Sequence, residues 1–165
     1  MNLARSLKHL MAPHWLTRRA FSAASLAAIE TAVAAAEKRH GGELRFVVEG
    51  GLPLADLWRD RSPRARAQDL FAQLRVWDTE QNSGVLIYLQ LIDRRVEIVA
   101  DRGIAARVAQ AQWEAVCRGM EQAFGRGAYR DGAVAAVQSV GAILAQHFPA
   151  GADQTNELSD QPLLL

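Results

Sequence analysis

The chain of 165 residues contains one cysteine, Cys117, so no internal disulfide can form and the fold needs no oxidising compartment. No apolar run approaches the roughly 18 residues that identify a membrane-spanning helix. Residues 1–21, MNLARSLKHLMAPHWLTRRAF, lack the continuous apolar centre of a secretion signal. The location expected from these absences is the cytoplasm, at most peripheral to the inner membrane, with weak direct membrane binding or none. A net charge of +1 lacks the basic excess of a dedicated nucleic-acid binder. There is no G-x-x-x-x-G-K-[ST] loop and no G-x-G-x-x-G after a strand, so no nucleotide is expected. A G-x-S-x-G elbow is missing as well. One cysteine, with His9, His14, His40 and His147 in no paired spacing, excludes a zinc cage. Each histidine reads as a helix-end or surface residue. Cys117 lies on an apolar helical face, which suits a buried small hydrophobe better than a nucleophile.

What remains is an ordinary globular composition, half apolar and 22% charged, long enough for a single domain with its own core. Charge is unevenly spread. Arg5, Lys8, Arg18 and Arg19 precede the first acid, Glu30, whereas only Asp153, Glu157 and Asp160 are charged beyond Gly151. The expected organisation is therefore a basic arm over 1–19, a folded domain over 20–149 and a disordered acidic tail over 150–165. In the arm, Leu7, Leu10, Met11 and Trp15 fall at helical spacing. Such a stripe serves either a short helix packed on the domain or an interfacial helix touching anionic lipid or a partner. The terminal Leu163, Leu164 and Leu165 read as an exposed apolar end without a role.

Ser22 or Ser25 caps the first domain helix, with Leu26, Ile29, Val33 and Ala36 on one face, and Gly41 supplies a left-handed stop. A strand follows over 44–49. Ser62-Pro63 starts a crossover helix carrying Ala67, Leu70, Phe71 and Leu74 inward. The next strand, from Val85, should then lie parallel to the first with a right-handed connection. After Gly103 come two helices, the first with Trp113, Val116, Cys117, Met120 and Phe124 as a stripe, the second capped by Asp131. Arg59, Arg61, Arg64 and Arg66 read as a solvated helix face or as an anion or acidic-partner site.

Period-two alternation of Val85, Ile87 and Leu89, then of Val96 and Ile98, marks a hairpin. A turn centred on Asp93 and Arg94 opposes Leu86 to Asp101 and Ile87 to Ala100. It also draws Asn82 and Ser83 towards Asp101 and Arg102. Calcium and magnesium take carboxylate and carbonyl oxygens from such loops, so Asp78, Asn82 and Asp101 are the candidate metal ligands. Asp101 and Arg102 are the candidate catalytic pair, since Arg102 could grip a phosphate. The alternative for the same residues is structural: Asp78, Thr79 and Asn82 shape the turn, and Asp101 caps the next helix.

The run NSGVLIYL, the Asp93-Arg94 turn, the EIV strand, the Gly103-Ile104 step and the later FGRGAYRDG together resemble the TPM domain family. That family includes thylakoid-lumen proteins of plants and many bacterial proteins. The resemblance covers roughly residues 20 to 148. It implies an α/β fold, a small mixed β-sheet with helices on both faces. It further implies a divalent-metal-dependent phosphatase, or a non-catalytic interaction module for a membrane-anchored TPM or LemA-type partner. At the Gly103-Ile104 step this chain lacks the acidic residue common in the family.

Overall fold

The computed structural model describes residues 3–11, 14–151 and 156–165. These form eight helices and four strands: α1 (Leu3–Leu10), α2 (His14–Ala20), α3 (Ala23–Glu37), β1 (Glu43–Glu49), α4 (Leu54–Trp58), α5 (Pro63–Gln73), β2 (Gly84–Gln90), β3 (Arg95–Ala100), α6 (Arg102–Ala105), α7 (Gln110–Gly125), α8 (Tyr129–His147) and β4 (Leu163–Leu164). The sheet runs β3-β2-β1-β4. β1 and β2 pair in parallel across the α4–α5 crossover, and β3 returns antiparallel.

Both faces of the sheet are buried. Phe46, Ile87 and Ile98 meet Ile29 of α3, Met120 of α7 and Val137 and Leu144 of α8 in one core. Val47, Leu86, Tyr88 and Val99 meet Ala67 and Leu70 of α5 in the other. That three-layer arrangement is the expected mixed sheet with helices on both faces, and it explains why β2 is buried along its whole length. The helix starts follow local chemistry. Ser22 Oγ accepts from Ser25 N–H and Ser62 Oγ from Ala65 N–H, satisfying donors that a helix leaves open in its first turn.

The hairpin is offset from the expected register. Leu86 faces Val99, and Val85 faces Ala100. A four-residue loop replaces the two-residue turn: Gln90 pairs with Arg95, Arg94 takes the left-handed conformation at φ 53°, and Gln90 Oε1 accepts from Asp93 N–H. A shift of two residues keeps every side chain on its face. The core assignments therefore survive it.

Five further expectations are corrected. Gly41 is not a left-handed stop, because α3 ends at Glu37 and Lys38 caps it in the right-handed region. Asp131 lies inside the first turn of α8 instead of capping it. His9 and His40 are buried, not surface residues. The tail, of which 152–155 lie outside the described residues, is ordered from Asn156. Glu43 accepts from the Glu157 and Leu158 N–H groups, and Arg45 donates to the Ser159 and Gln161 carbonyls. The terminal leucines are strand residues: Leu163 and Leu164 pair with Val47 and Val48, and Leu165 N–H donates to Val48 O.

β3 forms one edge of the sheet, and two of its outward backbone groups are occupied by side chains. Val96 N–H donates to Glu121, and Arg64 donates to Ile98 O.

Candidate functional site

The sheet has two chemically distinct ends. At the first, β1 and β2 begin and β3 finishes, beside the turn 79–83. Thr79 Oγ1 accepts from Ser83 N–H, Asn82 N–H closes on Thr79 O, and Asn82 adopts φ 51°. That geometry folds Asn82 back towards α6, so Arg102 Nε donates to Asn82 Oδ1 at 3.1 Å despite the shifted hairpin. Gly103 permits the approach: a Cβ there would stand 2.6 Å from Asn82 O. Asp101 caps α6, its Oδ1 accepting from Arg102 N–H at 2.7 Å, while its Oδ2 is buried without a partner.

The structure thus brings together Asn82, Asp101 and Arg102. Asp78 does not join them with any bonded contact; it is exposed, and its N–H closes a turn onto Arg75 O. As a seat for a divalent cation the set falls short. Asn82 spends its amide oxygen on a guanidinium, leaving one unpaired carboxylate oxygen where calcium takes six or more oxygens. Among the described residues, no three His, Cys, Asp or Glu side chains are grouped to hold a metal.

Beside this turn lies an open cleft of about 530 Å³ whose lining includes Glu37, Glu43, Glu80, Glu157 and Asp160. Sequence reading missed it because its acids come from α3, β1, the turn and the tail, which only the fold unites. Burial pushes the Glu37 carboxyl up to about 8, against the Leu44 N–H it accepts at 2.9 Å. Burial also raises Glu43, opposed by the two tail N–H groups it accepts. His40, packed beneath, is held down to about 4 by burial, and its Nε2 has no partner.

These two shifts set opposite pH limits. For Glu37 the folded state keeps a proton that the unfolded chain has released, so stability falls as pH rises from about 4.5 to about 8. For His40 the unfolded chain takes up a proton that the fold refuses, so stability falls as pH drops from about 6.5 to about 4. Glu37→Gln keeps the acceptor for Leu44 and should raise Tm at pH 9 by a few degrees, roughly 1 kcal/mol, while leaving Tm at pH 4 unchanged. Equal effects at both pH values would show that Glu37 is not protonated in the fold.

At the other end, where β1 and β2 finish, two networks consume the polar side chains. Glu49 accepts from Arg66 Nε and Nη2 (2.6 Å) and from the Tyr88 hydroxyl (2.6 Å). The glutamate is 1% exposed and the tyrosine 0%. The arginine cluster is accordingly not one solvated face: Arg66 is locked to Glu49, Arg61 bonds Asp69, and Arg64 reaches Ile98 O and Glu97. Asp93, at the hairpin tip, receives Arg5 through Nε and Nη2 and His9 through Nε2 at 3.1 Å. Burial works to raise the Asp93 carboxyl, and the Arg5 and His9 hydrogen bonds outweigh it, holding it below the ordinary value. His9 Nδ1 in turn accepts from Leu52 N–H. The basic segment is therefore docked, not a free arm. A buried Tyr88 hydroxyl in an apolar strand was the one available signal, since such a group requires a partner.

Cys117 is half-buried, and burial raises its thiol to about 11, which disfavours the reactive thiolate.

A buried mixed sheet between helical layers, with a polar turn at the head of two parallel strands, describes an α/β domain of one family. The TPM domain model matches residues 17–143, and the chain belongs to the TPM domain family. Among solved structures it is similar to the BA42 protein of the psychrophilic bacterium Bizionia argentinensis, at 29% identity and TM-score 0.75, over 88% of this chain and 95% of that one. It shares its fold with the N-terminal domain of a P. gingivalis protein, at 20% identity and TM-score 0.65, over 87% and 96% of the two chains. No curated protein matches. Among the described residues, no helix is long and apolar enough to cross a membrane.

Proposed function

We propose that this protein is a non-catalytic interaction module that works docked at a membrane, on a membrane-anchored TPM or LemA-type partner. The observation that carries the reading is where the unsatisfied surface lies. Groups that could do chemistry are bonded within the protein or held in unreactive states: Arg66 with Glu49, Arg102 with Asn82, His40 kept neutral, Cys117 kept as a thiol. Large apolar side chains, by contrast, stand exposed on α1, α2 and α4, and Arg5 and His9 fasten α1 to the segment that holds α4. Exposed large apolar side chains gathered on neighbouring elements mark interaction sites.

The competing reading, a divalent-metal-dependent phosphatase, would be built on Asp101 and Arg102, with the unpaired Asp101 Oδ2 as its one free oxygen. A direct comparison separates the two. The docking module should co-sediment with membranes carrying the partner and lose most of that binding when the partner is removed. It should hydrolyse no phosphate ester above background. Turnover that requires calcium or magnesium and disappears in Asp101→Asn would overturn the docking reading. So would saturable, concerted shifts of the Asn82, Asp101 and Arg102 amides on adding either ion.

A further inference from the structure

α1 is amphipathic, and it is mounted in the unusual sense. Leu3, Leu7 and Leu10 repeat at helical spacing along one face and are 73%, 57% and 58% exposed. The opposite face carries Arg5 and His9, and those two point into the protein. Arg5 clamps Asp93 and donates to Arg61 O, while His9, 3% exposed, bridges Asp93 and Leu52. A surface helix ordinarily turns its apolar stripe to the core and its charges to water. Here a bidentate arginine–carboxylate contact and a buried histidine hold the reverse orientation.

The neighbouring surface continues the pattern. Arg5 and His9 fasten α1 to segment 52–61, where Leu54 and Trp58 are 58% and 72% exposed. Trp15 of α2, also largely exposed, lines a hollow with Arg18 and Leu165. Exposed cations stand among these side chains: Lys8, Arg18, Arg19 and Arg59. The acidic cleft is at the far end of the sheet, and Asp60, the exposed acid of segment 52–61, is bonded by Arg5.

We infer that this face binds the surface of an anionic phospholipid bilayer, with α1 lying in the headgroup region. This rests on the docking reading above and names the surface that docking uses. Charge complementarity selects the occupant. Leucines flanked by tryptophans and ringed by lysine and arginine match an apolar layer beneath a negative one, with indoles suited to the boundary. A second copy of the chain is a poor match, because a two-fold contact through this face would set Lys8, Arg18 and Arg19 near their own counterparts. Since α1 is already folded and oriented, binding carries little of the ordering cost that an unfolded amphipathic segment bears.

The test uses the full chain and protein-free vesicles of phosphatidylglycerol and phosphatidylcholine. Co-sedimentation should be clear with the mixed vesicles, weak with phosphatidylcholine alone, and reduced by salt. Leu7→Glu/Leu10→Glu and, separately, Lys8→Glu/Arg18→Glu should each lower binding about tenfold or more. These positions are exposed and leave Arg5, His9 and Asp93 intact, and unchanged Tm and circular dichroism would confirm the fold. Arg126→Glu changes net charge by the same amount per site on α7's C-cap, and it should leave binding unaltered. The tryptophan emission should shift blue on vesicle addition, and Trp15→Phe/Trp58→Phe should abolish that shift. Absent binding to anionic vesicles, an equal loss in Arg126→Glu, or a dimer in solution that Leu7→Glu dissociates would each overturn the inference. Recruitment by partner-bearing membranes without binding to protein-free vesicles would sink the lipid contact alone. Failure of both would sink the docking reading too.

Discussion

Arg66→Met should destabilise the protein by about 3–5 kcal/mol in denaturant unfolding, the usual cost of stranding one member of a buried ion pair. Arg66 meets Glu49 through two nitrogens, with Asp56 at 3.6 Å as a second acid and the Tyr88 hydroxyl on the same carboxylate. The hydrogen bond to Glu49, its strongest influence, raises the guanidinium above its ordinary value. With the guanidinium removed, Glu49 retains only the phenol and is left without its countercharge in an apolar layer. Glu49→Leu combined with Arg66→Met should recover most of the loss, because two packed apolar side chains can replace a buried pair. Tyr88→Phe alone should cost about 1–2 kcal/mol. If Arg66→Met cost no more than Arg118→Met, on the exposed side of α7, the network would not be buried in solution.

Gly84→Ala is the second large effect expected. A Cβ at Gly84 would stand 1.8 Å from Val76 O and 2.9 Å from Val76 C. Both are backbone atoms, so no rotamer change relieves the clash. The strand would have to move away from the segment that leads into it, disturbing Glu43, its partner on β1, and Asp101, whose N–H donates to Gly84 O. We expect a loss of about 3 kcal/mol or more, at the upper end for overpacking. Gly119→Ala is the matched control. Gly119 lies in α7 with open space where a Cβ would go, so the same change should stabilise by about 0.5–1 kcal/mol through helix propensity. Similar Tm shifts in the two variants would mean that the Val76–Gly84 approach is looser than described.

Much of the architecture was legible because it depends on local periodicity. Ser62-Pro63 announces α5, and the alternation from Val85 announces β2. The parallel pairing of β1 and β2 follows from the helix between them. What escaped depends on contacts between distant segments. The hairpin register turned on Gln90 closing the loop through its own side chain, which strand alternation does not encode. β4 pairs residues more than a hundred positions from β1, and three leucines carry no mark of that destination. His9 read as a helix-end or surface residue until Asp93 came within 3.1 Å. At the candidate site the meeting of Asn82 with Arg102 was anticipated, although the register invoked for it was wrong. It is the left-handed Asn82 that produces it. The acidic cleft was invisible for the same reason as β4.

The side chains along β3 also bear on how copies of this protein behave when crowded. An edge strand with free N–H and C=O groups is a template on which another extended chain can add. Here Glu121 occupies the Val96 N–H, and Arg64 occupies the Ile98 carbonyl. An incoming strand would first have to displace two side-chain contacts, one from α5 and one from α7. The protein is thereby guarded against sheet-to-sheet polymerisation along that border, and the guard consists of residues whose sequence gives no hint of the task.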